Sequence, residues 1–372
     1  MKKTILMGTF TLLLCLTTAV TGNTAKAWVD KGAGFQQSGI FTYQVIDAEG
    51  NVAICDYNTT SEKLVIPNEI DGHKVVRVDV ETGTGGRTDE MASCESCYHV
   101  KELVIEEGVR VIGALSFYKF ENLEKISLGK KVTICRGAFG KCKVKELVFD
   151  GVYFNGTNFT GCNFDKVTLK GSYGGDEGGL RFCKIKELVL ASSLDNQIVG
   201  ELFFGTQVDK MVVANGIKKL RFTRCYMDDN HVESLVVNDP KTRLVLEDEY
   251  VPQGEISFGT IYTVPGAKII KDARANKISY EYKKATKSKV LSTRKKGKKY
   301  VTKWSKSKTV IIRKRYRLLT EKWEMSKRKA KTVYQVYRRA GKTGKWKKIK
   351  TTGKTSIVSK YKNIKVVPVV NW

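Results

Sequence analysis

The sequence contains little histidine, the side chain that enzymes use most often for acid–base chemistry. It has three histidines, His73, His99 and His231, and none lies in a recognisable catalytic motif. No G-x-S-x-G segment is present, which argues against the nucleophile elbow of the α/β-hydrolases. The acidic run Glu247-Asp248-Glu249 lacks the spaced oxygen ligands of a calcium loop and reads more simply as a solvated turn. The sequence therefore predicts a non-enzymatic protein without a cofactor or metal.

A long membrane-spanning run is also lacking. The apolar run from Ile5 to Val20 spans about 16 residues, whereas a transmembrane helix needs about 20. It follows Met1-Lys2-Lys3 and precedes Ala25-Lys26-Ala27, which together describe a secretory signal peptide at residues 1–27. The bulky Leu14 before Cys15 argues against a lipoprotein signal. We expect an exported protein, secreted or on the cell surface, with no transmembrane segment in the mature chain.

The middle of the chain repeats one short pattern at a nearly constant spacing. Each copy is a strand-like apolar-x-apolar phrase, as in Lys101–Ile105 (KELVI) and Lys186–Leu190 (KELVL). Successive copies lie 20 to 24 residues apart, except for one 39-residue step that spans an irregular insert at residues 79–97. Such repeats are typical of leucine-rich solenoids, because one unit cannot bury its own apolar face. The anchor residues predicted to point into a shared core are Leu64, Leu103, Ile126, Leu147, Val167, Leu188, Met211 and Leu235.

Three segments, Lys63–Val78, Val100–Phe117 and Gly137–Phe149, resemble the BspA-like leucine-rich repeats of bacterial surface proteins. The resemblance covers residues 40–262 and weakens after residue 149. It implies a secreted or surface-attached recognition scaffold and no chemistry. The expected fold is a β-rich solenoid with one parallel sheet at residues 81–262. A capping segment and first repeat are expected at 28–80, because the first edge of a solenoid must be covered.

One repeat position is occupied by small side chains. Cys142, Cys162 and Cys183 each lie five residues before a strand anchor, and Thr206 takes the same place in the next repeat. A residue type that recurs at one repeat position forms a column, and free cysteine in such a column behaves as a small apolar residue. We predict that this column is buried and structural.

The pair Cys94-x-x-Cys97, with His99 close by, is open to several interpretations. It could be a redox pair, half of a zinc site, or a partner in a disulfide with another loop cysteine. A zinc site would need a second pair at comparable spacing, and only Cys135 and Cys142 are candidates. Disulfide pairing cannot be read from sequence.

Alternate residues of each predicted strand point away from the core and form columns across the sheet. The central column is largely aliphatic, and a column of alternating charge runs beside it. Such a surface can bind a protein or a glycan, although β-branched residues also favour strands without any ligand. The predicted ligand-binding residues are Glu102, Val104, Ser127, Val148, Lys166, Thr168, Val189, Lys210, Val212 and Val236.

Positive charge is concentrated in residues 283–372, which we call the basic tail. It contains 32 Lys and Arg against two acidic residues, a net charge of +30, whereas residues 1–282 carry −2. This change predicts a linker at 263–290 and a separate module at 291–372. Val333–Arg339 and Lys345–Thr351 alternate around a turn, which predicts an all-β module.

The segment Tyr334–Val358 resembles the lysine-rich fibronectin type III-like modules found behind such repeats in bacterial surface proteins. The resemblance spans residues 305–365 and implies a small β-sandwich. Its charge predicts binding to anionic cell-envelope polymers; nucleic acid is not expected, because no nucleic-acid-binding motif accompanies the charge. The candidate anion-binding residues are Lys295, Lys296, Lys298, Lys299, Arg313, Lys314, Arg315, Lys347 and Lys348.

These patterns predict a surface protein that mediates recognition or adhesion through the solenoid sheet and is held by its basic tail. Two other classes stay open from sequence. One is a structural envelope spacer with no specific ligand, and the other is an accessory module of a secreted hydrolase system. A spacer predicts no contiguous apolar patch, whereas an enzyme predicts a pocket with convergent acids.

Overall fold

The computed structural model describes residues 34–79, 98–156, 158–175, 179–191, 205–224, 231–248, 257–341 and 343–372. The predicted signal peptide, the Cys94–Cys97 pair and Glu249 lie outside the described residues. The strands before the basic tail are β1 (Phe35–Ser38), β2 (Phe41–Val45), β3 (Val52–Tyr57), β4 (Lys63–Ile66), β5 (Glu69–Ile70), β6 (His73–Val78), β7 (Glu102–Ile105), β8 (Val111–Ile112), β9 (Lys125–Ser127), β10 (Val132–Ile134), β11 (Glu146–Phe154), β12 (Asn163–Gly175), β13 (Lys184–Leu190), β14 (Gln207–Val213), β15 (Lys219–Arg224), β16 (His231–Val237), β17 (Arg243–Asp248) and β18 (Ser257–Thr263).

The remaining elements begin just before the basic tail. They are α1 (Ile269–Ala275), β19 (Ser279–Ala285), β20 (Val290–Lys296), β21 (Lys299–Trp304), β22 (Thr309–Arg317), β23 (Lys322–Ala330), β24 (Tyr334–Arg338), β25 (Lys347–Thr352), β26 (Ser356–Ser359) and β27 (Ile364–Pro368).

A continuous row of parallel strands forms the solenoid. β4, β7, β9, β11, β12, β13, β14, β16, β18 and β19 pair in that order, and the anchors stay in register, with Leu103 beside Ile126 and Leu188 beside Met211. The register shifts only between β11 and β12, after Asp150. The predicted parallel sheet is confirmed. The predicted anchors are all buried, and their burial contributes roughly 1.5–3 kcal/mol each to folding.

A second row of parallel strands lies across the core. β3, β6, β8 and β10 pair in sequence and then join the second half of β11. β15 and β17 form a further parallel pair. The sequence did not predict that these strands pair into a second row, and members as short as Val111–Ile112 leave no periodic signal.

Aromatic rings stack in the turns that join the two rows. Phe117 lies 5.3 Å from Phe139, and Phe139 lies 4.9 Å from Phe159, with the planes nearly parallel. Each repeat turns through a residue with positive φ, and Lys141, Gly161 and Phe182 hold this position at 61°, 73° and 55°. Left-handed backbone is costly for Lys and Phe, so the stacked core must impose it.

The solenoid continues through the segment predicted as a linker, so the linker prediction at 263–290 is wrong for α1 and β19. β19 extends the sheet, with Tyr280 beside Ile261 and buried like an anchor. Helix α1 packs beside it, and the carboxylate of Asp272 accepts hydrogen bonds from the Arg243 guanidinium at 2.6–2.9 Å. Helix α1 and strand β19 fold onto the solenoid because their apolar side chains cover the open edge of the sheet.

The basic tail is all β but divides between two places. β22 pairs antiparallel with both β19 and β23, so the β22–β23 hairpin belongs to the solenoid sheet. The other six strands form two three-stranded sheets, β20-β21-β26 and β25-β24-β27. They share a small core of Trp304, Tyr334, Val336, Ile364 and Val366. The predicted boundary at 291 therefore cuts through the solenoid sheet, and the fibronectin type III resemblance stays a prediction.

Candidate ligand-binding face

The predicted ligand-binding residues form one surface, the outward face. Register places Val104, Ser127, Val148, Thr168, Val189 and Val212 side by side on consecutive strands. Val148 is 42% exposed, and the other five are partly buried by their neighbours. The aliphatic column predicted from the alternation is therefore present as a half-exposed surface.

A shallow groove of about 330 Å³ lies on this face around β9 and β11. Ser127 and Val148 line it at the column, and Glu146 and Asp150 project from the same strand as Val148. Lys125, Lys130, Lys170 and Glu107 complete the charged part of the lining. A ligand there meets the apolar side chains of Val148 and Leu128 surrounded by both signs of charge.

The column beside Val148 alternates in charge along the sheet, as the sequence predicted. Lys125 pairs with Glu102 at 3.2 Å, and both Lys166 and Lys210 pair with Glu187, at 3.2 and 2.9 Å. The hydrogen bond from Lys125 lowers the pKa of Glu102, and the bond from Lys210 does the same for Glu187. These exposed pairs fix side-chain positions more than they add stability.

Glu146 differs from the other carboxylates of this column. It lies in register between Lys125 and Lys166, yet each of these lysines pairs with the glutamate on its other side. Glu146 makes no ion pair with any residue that the structure describes. The groove therefore contains an exposed carboxylate that is free to bind a hydrogen-bond donor or a cation from a ligand.

The outward face is covered at its C-terminal end. Trp372 packs edge-on against Tyr262 at 4.8 Å, and its Nε1 donates to the Thr263 carbonyl at 2.9 Å. The backbone N–H of Trp372 donates to Asn238 Oδ1 at 2.9 Å. Val236, the register neighbour of Tyr262, is 5% exposed. The prediction that Val236 is available to a ligand is wrong, and the accessible face ends at Val212.

A buried carboxylate follows Val236 and Tyr262 in the column that begins with Val104. Glu281 on β19 follows Tyr262 in register and is fully buried. Arg313 on β22 forms a close ion pair with it, and Arg328 Nη2 lies 3.5 Å from its other oxygen. Arg313 therefore neutralises Glu281. The prediction that Arg313 is available to bind an external anion is wrong.

The amino-acid sequence of the repeats is similar to that of a known family. Residues 90–165 match the family described as BspA type leucine rich repeat region, in six copies. The matched range contains the groove residues Ser127, Glu146 and Val148, so the groove lies in the part of the chain that is similar to BspA type leucine rich repeats.

Solved leucine-rich repeat proteins resemble the chain at low identity. A leucine rich repeat protein of T. pallidum is 15% identical over 65% of this chain and 94% of its own, with a TM-score of 0.33. A leucine rich cell surface protein of Faecalibacterium prausnitzii is 12% identical over 64% and 91%, with a TM-score of 0.26. A leucine-rich repeat protein of Bacteroides ovatus is 16% identical over 61% and 70%, with a TM-score of 0.24. No curated protein matches the chain.

The cysteine column is buried as predicted. Cys142 Sγ lies 3.1 Å from the Phe117 carbonyl, and Cys183 Sγ lies 2.7 Å from that of Phe159. The Thr206 hydroxyl makes the equivalent bond to the Leu180 carbonyl. Burial raises the pKa of Cys162 to about 12 and those of Cys142 and Cys183 well above the ordinary thiol value. These cysteines are free thiols that cap backbone carbonyls.

One hydrogen-bonded group near the end of the solenoid contains residues common in hydrolases. His231 Nδ1 lies 2.7 Å from the Ser257 hydroxyl, and Nε2 lies 3.0 Å from Glu233 Oε2. The His231 and Glu233 side chains are substantially exposed, so water competes for the hydrogen bonds of this group. No group of three or more potential metal ligands occurs among the described residues.

The remaining anion-binding candidates are distributed over three sheets. Lys295, Lys296 and Lys299 belong to the β20–β21 hairpin, with Lys298 at its turn, whereas Lys314 and Arg315 lie on β22. Lys347 and Lys348 begin β25. The structure thus brings these residues together only in subsets. In the part of the chain that is described, no helix is long and apolar enough to span a bilayer.

Proposed function

We propose that this chain is a secreted or cell-surface leucine-rich repeat protein that recognises a protein or glycan through the outward face. The groove around Ser127 and Val148 carries the proposal. Long open sheets of solenoid proteins are common binding surfaces. An exposed aliphatic side chain supplies apolar contact area here, and Glu146 supplies an unpaired acceptor for a ligand hydroxyl, amide or ammonium group.

The test of this proposal is a matched pair of valine substitutions. Val148→Asp adds a charge in the groove at an exposed position, and Val367→Asp does the same on β27, where Val367 is 36% exposed. Both proteins are screened against a glycan array and a panel of host extracellular proteins. We expect the wild type and Val367→Asp to share ligands that Val148→Asp loses. Equal binding by all three proteins would contradict the proposal.

We also propose that the basic tail holds the protein on anionic cell-envelope polymers. The lysines around the β20–β21 turn support it, because Lys295, Lys296, Lys298 and Lys299 are exposed and form no ion pair with a described residue. Co-sedimentation with purified bacterial envelopes across a salt series tests it. Binding should be lost above about 0.5 M salt, where charges are screened beyond a few ångströms. Replacing the four lysines by glutamine should weaken binding, and unchanged binding would refute the assignment.

A further inference from the structure

The β22–β23 hairpin ends in an exposed apolar tip. The tip is a single 3₁₀ turn, Leu318–Thr320, followed by Glu321 in left-handed conformation. Leu319 is fully exposed, Leu318 is 80% exposed, and Met325 on β23 is 54% exposed. Exposed apolar side chains cost solvation free energy, and no other described side chain covers these two leucines. The tip is therefore an apolar surface that no described part of the chain covers.

The hairpin holds this tip rigidly. Tyr316 and Trp323 face each other across the strands with ring centroids 5.3 Å apart, and Trp323 lies 5.7 Å from Tyr280 in the solenoid core. Strand pairing runs without a slip up to Arg317 and Lys322. The leucines are consequently presented at the end of a fixed arm and need no ordering when they bind.

Positive charge surrounds the tip. Residues 309–330 contain eight Lys and Arg and two acidic residues. Both acids are neutralised, because Glu324 pairs with Arg317 at 2.8 Å and Glu321 lies 3.9 Å from Lys277. Among the described residues, Lys314, Arg315 and Lys322 have no acidic partner. The arm therefore presents unpaired cations beside exposed leucines.

This combination matches the surface of an anionic lipid bilayer. Lysine and arginine are attracted to acidic headgroups, while leucine gains free energy only where acyl chains replace water. A hydrated polyanion such as a teichoic acid would satisfy the cations and leave the leucines in water. We propose that the hairpin tip inserts Leu318 and Leu319 into an anionic membrane, with Lys314, Arg315 and Lys322 at the headgroups. The arm would then dock the solenoid on a lipid surface without a transmembrane segment.

This membrane site goes beyond the proposed function and does not depend on it. The outward face and its groove lie on other strands, and the envelope-binding lysines belong to the β20–β21 hairpin. Loss of ligand binding in Val148→Asp and loss of membrane binding in a tip variant are therefore separate results.

Vesicle flotation tests the proposal. The protein without residues 1–27, which retains every described residue, is mixed with phosphatidylcholine vesicles that contain or lack phosphatidylglycerol. We expect flotation with the anionic vesicles only. The double substitution Leu318→Asp/Leu319→Asp should reduce the bound fraction at least tenfold. It removes the two leucines that would be buried in the bilayer and adds two negative charges that the anionic headgroups repel. Leu291→Asp changes a 68% exposed leucine on β20 and should leave flotation unchanged.

Three outcomes would overturn the proposal. The first is that the wild type fails to float with anionic vesicles, and the second is that the tip variant floats as well as the wild type. The third is that Leu291→Asp reduces the floated fraction as much as the tip substitutions do. The second outcome would show adsorption by charge alone. Binding to a soluble teichoic acid without binding to vesicles would instead identify a polymer as the partner of the arm.

A second readout reports insertion directly. Leu319→Trp places an indole at the tip, and vesicles with brominated acyl chains quench only a fluorophore that enters the hydrocarbon. We expect quenching of the fluorescence that this variant adds over the wild type. Quenching equal to that of the wild type would place the tip outside the bilayer even if flotation occurs.

Discussion

The solenoid and the basic tail solve the problem of stability in different ways. The solenoid repeats one buried anchor on each strand and stacks large aromatic rings behind it, so its core is continuous over ten parallel strands. The two small sheets of the tail share a core of five buried residues. The tail compensates by attachment, since its hairpin joins the solenoid sheet and Trp372 returns to Tyr262.

Charge shows the same contrast. On the solenoid, lysines and glutamates alternate across strands and neutralise one another, which leaves a nearly neutral surface with individual exceptions such as Glu146. In the tail nearly every charge is positive, and its two acids, Glu321 and Glu324, each lie beside a basic side chain. Specific recognition is therefore expected of the solenoid, and general attraction to anions is expected of the tail.

Deleting the tail gives the largest expected effect on this contrast. A chain that ends at residue 286 loses the partner of β19 and uncovers Tyr280, which lowers the free energy of unfolding by roughly 5 kcal/mol. A chain that ends at residue 332 keeps the hairpin and should retain the solenoid transition in urea. If the two truncated chains unfold at the same urea concentration, the hairpin is not part of the solenoid fold.

Phe139→Ala should be the most damaging single change. Phe139 is fully buried and stacks between Phe117 and Phe159, so its removal leaves a cavity and costs about 3–5 kcal/mol. Urea unfolding followed by circular dichroism measures this loss. Leu319→Ala, at a fully exposed position, should change the free energy of unfolding by less than about 0.5 kcal/mol. A small effect of Phe139→Ala would show that the stacked rings do not carry the core.

Trp372→Ala tests the second attachment between the two regions. The substitution removes the ring packed on Tyr262 and one hydrogen bond, at a cost of about 2 kcal/mol. We expect faster amide exchange at the end of the tail and greater exposure of Val236. Unchanged exchange in residues 369–372 would mean that other contacts hold this segment.

The buried thiols predict a pH dependence that is confined to the solenoid. Their pKa values are raised in the folded chain, so thiolate forms first in the unfolded state and stability falls as pH rises above the ordinary thiol pKa of 9.0 towards about 12. Each thiol should cost about 1 kcal/mol by pH 10. The variant Cys142→Ala/Cys162→Ala/Cys183→Ala should lose this part of the slope. An identical pH profile in the variant would show that other groups dominate.

Lys166→Ala should have the smallest effect. Lys166 pairs with Glu187 on the surface, where water screens the charges, so the free energy of unfolding should fall by less than about 1 kcal/mol. Thermal melting at low and high salt measures the difference. A larger loss would mean that the alternating column supports the solenoid as well as displaying charge.

The repeat spacing was enough to predict the parallel sheet, its anchors and the cysteine column. Side chains such as Leu147 and Cys162 recur at fixed positions, and repetition turns a local pattern into a three-dimensional one. Strands β8 and β10 of the second row could not be predicted, because two or three residues carry no period. The left-handed position also escaped prediction, because Lys141 and Phe182 give no conformational signal there.

The division of the tail was hidden by its charge. Lysines and arginines cover the solvent side of β22 and β23. Ile311 and Ile312 are buried, and Trp323 packs against the solenoid core. The change in composition therefore predicted a domain boundary, but strands on the two sides of that boundary are hydrogen-bonded in one sheet. The outward face followed from strand alternation, but the cover over Val236 comes from Trp372, and no local pattern links two positions so far apart.

The return of Trp372 to the solenoid has a mechanical consequence. A surface protein that grips a ligand with one region and its support with another carries tension whenever fluid moves past the cell. In this chain such a load would enter the sheet at the end of β19 and pull along the strands, so the hydrogen bonds to β18 and β22 would share it in shear. The Trp372 contacts and the bond from Lys283 to the Asn371 carbonyl add a parallel point of attachment. Two attachments in parallel would let the tail resist detachment without a covalent bridge.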